Sequence, residues 1–364
     1  MPYRMLNSAG HHALAMKHAT TPRRIALAVL ALAAAAGIAV AVQSHSARAA
    51  AVDPGLVDIN TSLGYQATHA AGTGIVLTSS GEVLTNNHVI RGATRITATD
   101  LGNGRTYTAK VVGYSVANDV AVLQLQGASG LQTATVGDSS SVKIGDAVSA
   151  VGNAGGAGGA PTTTTGRVTG LNRTITARDD QGDAEQLTGL IETDAALQPG
   201  DSGGALVDSS GLVIGMLTAA SAGFRFSFQP VAADGYAIAI NKALSLVKQI
   251  EAKQASATVH IGATGFLGVT IQQPVSFGYP YFGDAAATNG ALVTSVLDGS
   301  PAARLGLGSG DVITAIDGHA VSSARTLSTL LLARSPGNRV TVGWVDQSGA
   351  SHRASVRLAS GPPQ

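Results

Sequence analysis

A mainly β protein is what this sequence predicts, on three observations. Between Val57 and Ile240 short apolar runs recur, each cut off by Gly, Asn or Ser, at the spacing of an antiparallel sandwich or closed sheet. No helical repeat of about 10 to 15 residues alternates with those runs, which argues against a doubly wound α/β sheet. Glycine supplies 46 of the 364 residues and aromatic residues only 4%. That composition suits tight turns and close backbone approaches, with cores of Val, Leu, Ile and Ala in place of rings.

The chain begins with a segment that belongs to no fold. Lys17, Arg23 and Arg24 precede "IALAVLALAAAAGIAVAV", an uncharged run at 25–42, and small residues at 47 and 49 complete an Ala-x-Ala pattern. Residues 1–49 read as an export signal cut near Ala49 or Ala50, with a single N-terminal membrane span as the alternative. Both place the bulk of the chain outside the cytoplasm. The cysteine count is zero. An exported protein without disulfides rests on core size and sheet packing, and thiol catalysis and cysteine metal sites are excluded. Lys and Arg total 23 against 22 Asp and Glu, so no basic stripe marks a nucleic-acid partner. No motif calls for a cofactor or a metal.

From Val57 the elements follow in order. "GTGIVLTSSGEVLTNNHVI" predicts strands at 74–78 and 82–86, turned through Ser79, Ser80 and Gly81 as a hairpin. "TRITATD", "TYTAKVVGYS", "VAVLQL", "AVSAVGN", "TTGRVTGLNRTI", "TGLIETDA", "GALVDSSGLVIGMLTAAS" and "GYAIAI" continue the series. "NAGGAGGAP" at 153–161 is a loop poor in side chains; the lysine that a phosphate-cradling loop needs is missing. A helix is predicted over 241–255, with Ala243, Leu244, Val247, Ile250 and Ala255 on one stripe and Asn241 as its cap. The first domain therefore covers 50–255, and the polar residues 256–261 form a linker. The second, compact module at 262–358 mixes strands with two short helices. One starts near Pro301, the other is "ARTLSTLLLAR", and "NRVTVGWVD" and "SHRASVRLA" are strands. Residues 359–364 are a tail.

"LQPGDSGGALV" at 197–207 carries the chemistry. Pro199, Asp201 and the glycines at 200, 203 and 204 suit any tight turn, but a serine between Asp201 and Gly203 ahead of a strand also suits a nucleophile. A serine hydroxyl needs a base, and a histidine base needs a carboxylate to fix its tautomer. Of the nine histidines only His88, in "LTNNHVI", ends a strand of the same domain as Ser202. Asp119, at the mouth of the hydrophobic strand "VAVLQL", is the orienting acid. Asp194 is its rival, although a position eight residues before Ser202 suits it better to line a substrate pocket. Asp58, Asp100, Asp138, Asp146, Asp179, Asp180, Asp183 and Asp208 are expected in solvated settings. An α/β-hydrolase elbow also fits "GDSGG", but its acid and histidine follow the serine.

The order His88, Asp119, Ser202, with "TNNHVI", "NDVAVLQL" and "QPGDSGGALV" around them, resembles the chymotrypsin-like serine proteases and, within them, the HtrA/DegP group of exported bacterial proteases. The resemblance spans about 56–358. It implies a double β-barrel of six antiparallel strands each, followed by a PDZ domain, itself a small β-barrel or sandwich with two helices. It implies serine endopeptidase activity on unfolded exported polypeptides, with His88 as general base, Asp119 as its orienter and Ser202 as nucleophile. The N–H groups of Gly200 and Ser202 would form the oxyanion hole. Ala196, six residues before the serine, would floor the primary pocket and favour small or medium apolar residues. In the PDZ domain Phe266, Leu267 and Gly268 would offer N–H groups to a C-terminal peptide, against Thr326, Leu327 and Leu330. The group also implies an alternative role, a PDZ-containing chaperone or scaffold, and assembly into homo-oligomers. Many members have Asn where Asp201 stands; the aspartate would either be exposed in a resting form or pair with an arginine or backbone N–H groups.

Overall fold

The computed structural model describes residues 55–178, 184–220, 235–272 and 289–364. Residues 1–49, read from sequence as an export signal, and the aspartates at 179, 180 and 183 lie outside the described residues. Among those residues no helix is long and apolar enough to cross a membrane.

Strand β1 (Leu56–Leu63) opens the first barrel and is buried on both faces over its first half. Val57 and Ile59 enter that barrel's own core, whereas Leu56 enters a core shared with the second barrel, as the two-residue period of a strand requires. Asp58 lies on the Leu56 face. Around β1 stand β2 (Thr68–Val76), β3 (Glu82–Thr85), β4 (Arg95–Asp100), β5 (Thr106–Ser115) and β6 (Val120–Leu125). The sheet runs β5-β4-β1-β2-β3-β6, and a β5–β6 pairing closes the ring. The predicted hairpin is the β2–β3 pair, with Ile75 opposite Leu84. One helical turn, α1 (Asn87–Ile90), follows β3.

The second barrel comprises β7 (Ala147–Gly152), β8 (Thr162–Arg178), β9 (Ala184–Thr193), β10 (Ala205–Asp208), β11 (Val213–Ala220) and β12 (Gly235–Ala239), closed in the order β10-β11-β12-β9-β8-β7. Helix α2 (Ile240–Glu251) then buries Ile240, Ala243, Val247 and Ile250 in the shared core, the predicted stripe started one residue early. Asn241 does not cap it. Ala239 holds that position, and the Asn241 amide donates instead to Asp138 at 2.6 Å. Asp138 lies just ahead of the turn between β6 and β7, so a tertiary partner takes the side chain that was expected to cap locally.

The segment read from sequence as a linker is ordered structure. Val259 is buried, and strand β13 (His260–Ile261) pairs with β5 through Tyr114 and Gly113. The module beyond it contains β14 (Thr264–Phe266), β15 (Val269–Gln272), β16 (Ala291–Val296), α3 (Pro301–Leu305), β17 (Val312–Ile316), β18 (His319–Ala320), α4 (Ala324–Leu332), β19 (Arg339–Val345), β20 (Ser351–Arg357) and β21 (Ala359–Gly361). Ser300 caps α3, whose first turn carries Pro301, and Ser323 caps α4. The predicted tail supplies β21, which pairs with β14. This module docks on the first barrel. The Tyr114 hydroxyl lies 2.7 Å from Thr264 Oγ1, and Tyr65 stacks on Phe266 with ring centroids 5.3 Å apart.

Two aspartates expected in solvent are not there. Asp58 is 2% exposed and Asp100 1%. Asp58 sits where β1 is buried on both faces, and Asp100 lies on the buried face of β4 with Ile96 and Ala98, so each carboxyl is carried inside with its neighbours. Burial raises the pKa of both, partly offset by backbone N–H donors: Gly159 for Asp58, Asn103 and Gly102 for Asp100.

Candidate active site

Each of the three candidate residues sits where an element ends. His88 lies on α1, the turn that terminates the β3 hairpin, and its side chain is 46% exposed. Asp119 closes a 3₁₀ turn at φ +52°, ψ +45°, a left-handed conformation that Asp tolerates better than most residues. That bend turns its carboxyl back toward α1 just before β6. Ser202 follows Gly200, at φ +99°, and precedes Gly203, at φ +83°. A Cβ at Gly200 would meet the Asn153 carbonyl oxygen at 2.1 Å, and one at Gly203 the Thr73 carbonyl oxygen at 2.0 Å. Both glycines are thus required by conformation and by space.

The carboxylate of Asp119 is fully engaged. Its Oδ1 accepts the His88 backbone N–H at 3.0 Å, and its Oδ2 lies 2.9 Å from His88 Nδ1. A carboxylate only accepts, so the Nδ1 position carries a proton and the neutral ring presents its lone pair at Nε2. The Asn86 amide donates to the Asp119 carbonyl at 3.0 Å and fixes the backbone beneath. The structure adds a residue that the sequence did not reveal. Thr218, on β11, donates its hydroxyl to Asp119 Oδ2 at 2.5 Å, while its carbonyl accepts the Ser202 hydroxyl at 3.2 Å. No local motif marks Thr218 in "GMLTAAS"; only barrel closure brings it to Asp119.

The turn around Ser202 is tied down on its carbonyl side. Thr73 Oγ1 donates to the Gly200 carbonyl at 2.9 Å, Thr73 N–H donates to that of Ser202 at 2.8 Å, and Gly155 N–H donates to that of Pro199 at 2.7 Å. The N–H groups of Gly200 and Ser202 have no acceptor among the described residues. They form a pair of unspent donors beside the hydroxyl.

Asp201 is buried and held by neutral donors, the Gln198 N–H at 2.8 Å and the Thr162 hydroxyl at 3.4 Å. Of the two partners expected from sequence, backbone N–H is found and, among the described residues, arginine is not. Burial pushes its pKa up, and those two hydrogen bonds pull it part of the way back. Asp194 is not brought to the three residues. It is exposed and accepts the N–H of Arg167, on β8, at 2.6 Å. Ala196 is exposed, and its carbonyl accepts the Thr164 hydroxyl at 3.2 Å.

In the C-terminal module the candidate peptide groove divides. The N–H groups of Leu267 and Gly268 have no acceptor among the described residues. Gly268 needs its φ of +85°, and a Cβ there would meet Ser300 Cβ at 2.2 Å. Strand β15 stands at the end of the order β15-β16-β17-β19-β20. The Leu267 and Leu327 side chains are core, at 1% and 0% exposure, and Leu330 is partly buried against that core. The Thr326 hydroxyl meets those of Ser322 and Ser323 at 3.1 and 2.9 Å. The Phe266 ring is committed to Tyr65. Among the described residues no group of three or more His, Asp or Glu side chains is placed to hold a metal ion.

Comparison with known proteins places both modules. Residues 72–216 match the trypsin-like peptidase domain and residues 265–355 the PDZ domain. The chain is 32% identical over 325 residues to serine protease PepD of Mycobacterium tuberculosis, covering 85% of this chain and 65% of that protein. It is 35% identical over 298 residues to serine protease Do-like HtrA of Lactobacillus helveticus, covering 80% of this chain and 69% of that one. With the solved structure of the HtrA-type protease AlgW with tripeptide it shares 30% identity, over 87% of this chain and 98% of that chain, at a TM-score of 0.49. The chain spans 65%, 58% and 53% of the length of three of the curated relatives it matches. It belongs to the HtrA/DegP family of trypsin-fold serine proteases with a C-terminal PDZ domain.

Proposed function

We propose that this chain is a serine endopeptidase that cleaves exported polypeptides through an acyl-enzyme, with Ser202, His88 and Asp119 as its machinery. The observation that supports this most directly is the Asp119 carboxylate, which takes both the backbone N–H and the ring Nδ1 of His88. A ring so held offers a basic Nε2 to a serine hydroxyl, and the carboxylate stabilises the imidazolium that forms.

The Ser202 hydroxyl leaves the Thr218 carbonyl, passes its proton to His88 Nε2 and attacks the scissile carbonyl carbon. The oxygen that gains charge is met by the N–H groups of Gly200 and Ser202; loss of one such donor costs on the order of 10² to 10³ in turnover. His88 then protonates the departing amine, and a water deprotonated by the same ring hydrolyses the acyl-enzyme. A pocket floor at Ala196 offers no charge of its own to pair with a substrate cation. It therefore favours small or medium apolar residues before the bond.

Leu267 and Gly268 supply the N–H groups for a peptide's C-terminal carboxylate, and the peptide lies as an added strand beside β15. Relatives from Haemophilus influenzae and Escherichia coli are named periplasmic proteases. That fits a site of action outside the cytoplasm.

The test is Ser202→Ala against unfolded casein, with a serine-directed fluorophosphonate on both proteins. Turnover should fall on the order of 10⁶-fold and labelling should vanish. Cleavage or labelling that survives in the variant would refute the assignment.

A further inference from the structure

Asp58 stands opposite Thr73 across the β1–β2 ladder, on the face that meets the second barrel. Both reach the glycine loop after β7. The Gly159 N–H donates to Asp58 Oδ2 at 3.0 Å, and the Asn153 N–H donates to Thr73 Oγ1 at 2.9 Å. Within the loop, Asn153 Oδ1 accepts the Gly158 N–H and its carbonyl accepts the Gly156 N–H, each at 2.9 Å. Anchored at both ends, the loop presents the Gly155 N–H to the Pro199 carbonyl at 2.7 Å.

The last bond fixes a direction. In a trans peptide the carbonyl of one residue and the N–H of the next point opposite ways. While Gly155 holds the Pro199 carbonyl, the Gly200 N–H must point away from the loop, where no described acceptor meets it. Rotation of that peptide would turn the carbonyl toward the oxyanion position and withdraw the donor. Four of the loop residues, Gly155, Gly156, Gly158 and Gly159, have positive φ, so the loop has little stiffness of its own and depends on its anchors. Thr73 anchors one end. Asp58 anchors the other, and its Oδ1 is buried without a partner. A carboxyl in that position costs more than an apolar residue of the same size would.

We propose that Asp58 is a positioning residue for the oxyanion hole, acting through the Gly159 N–H and the loop 153–159 on the Pro199–Gly200 peptide. It touches no substrate. The inference rests on the proposed hydrolase chemistry at Ser202 and adds a distant carboxyl to what sets its rate.

The experiment compares Asp58→Ala, which removes the acceptor, with Asp58→Asn, which keeps one, in the full chain. Three quantities are read: kcat and KM on a peptide substrate per fluorophosphonate-titrated site, Ki for a peptidyl trifluoromethyl ketone, and Tm. The ketone forms a hemiketal whose oxyanion occupies the hole, whereas KM reports ground-state contacts. Asp58→Ala should lower kcat by about 10- to 100-fold, within the range for a lost oxyanion donor, and weaken the ketone by a like factor with KM within about twofold. Asp58→Asn should recover kcat to within about threefold. The proposal is overturned if kcat per titrated site in Asp58→Ala stays within about twofold of the parent. It is also overturned if Asp58→Asn loses as much as Asp58→Ala, or if KM and Ki rise together. A parent that cleaves while Ser202→Ala does not, with Asp58→Ala unaffected, sinks this inference alone. A parent that neither cleaves nor labels ends both.

Discussion

Thr218 joins two of the three candidate catalytic residues without belonging to the motif that names them. Its hydroxyl is one of two side-chain donors on Asp119 Oδ2, and its carbonyl holds the Ser202 hydroxyl. A hydrogen bond to a charged group contributes about 1.5 to 3 kcal/mol, and the bond here steadies the carboxylate that steadies His88. Thr218→Val keeps the shape and removes the hydroxyl. Its kcat should fall about tenfold with KM little changed, and Thr218→Ser should restore most of the loss. Steady-state kinetics on one peptide substrate decide it; an unchanged kcat in Thr218→Val would reduce the contact to packing. Asp201 makes the complementary point. Its burial among neutral donors explains how an aspartate stands there without a cation, at the cost of a raised pKa.

At the scale of elements, the join between β3 and α2 carries a pair sensitive to rising pH. Glu82 opens β3 and Glu251 ends α2. Burial, then the neighbouring Glu251 charge, push the Glu82 carboxyl up to about 7. A carboxylate at a helix C-terminus also faces the negative end of the helix dipole. The sign follows from linkage. A folded-state pKa above the unfolded value stabilises the fold fully below the unfolded value, near 4.5, and that stability is lost as pH rises through about 7. Because Glu82 is half-exposed, solvent screening reduces the effect to about 1 kcal/mol or less. Thermal melts should therefore show Tm falling between about pH 5.5 and pH 8.5. Glu251→Gln should flatten part of that fall and raise Tm at the alkaline end, the share due to burial remaining. An identical pH profile in parent and variant would rule the pair out as its source.

Over the whole molecule, the first barrel and the PDZ module share side chains. The Tyr114 hydroxyl meets Thr264 and accepts the Gln364 N–H at 3.2 Å, and the Gly92 N–H donates to the Pro363 carbonyl at 2.8 Å. His260 ring nitrogens lie 2.8 Å from the Leu332 carbonyl and 3.2 Å from that of Ala263. Peptide binding is therefore best measured on the full chain, where Tyr65 supports Phe266 beside the groove. A fluorescent peptide with an apolar last residue and a free carboxylate should bind, and its amidated twin about 10- to 100-fold more weakly, the equivalent of a charge-assisted hydrogen bond. Fluorescence anisotropy compares them directly. Equal affinities would mean that Leu267 and Gly268 do not receive a carboxylate.

What the sequence determined by itself was local in cause. Short apolar runs cut off by Gly, Asn and Ser predict the strands, a 3.6-residue stripe predicts α2, and short motifs around His88, Asp119 and Ser202 point to hydrolase chemistry through their order along the chain. The run "LVDI" itself carries the signal for Asp58, since a strand apolar on both faces must carry that residue inside. Tertiary structure alone decided which groups meet. Thr218 reaches Asp119 across 99 positions and Gly159 reaches Asp58 across 101. Asn241 left its cap for Asp138, and the polar stretch before the PDZ module became a strand on β5. The reason is physical: propensity and periodicity act within a few residues, whereas the partner of a buried polar group is set by which sheet faces come together when two barrels close and dock.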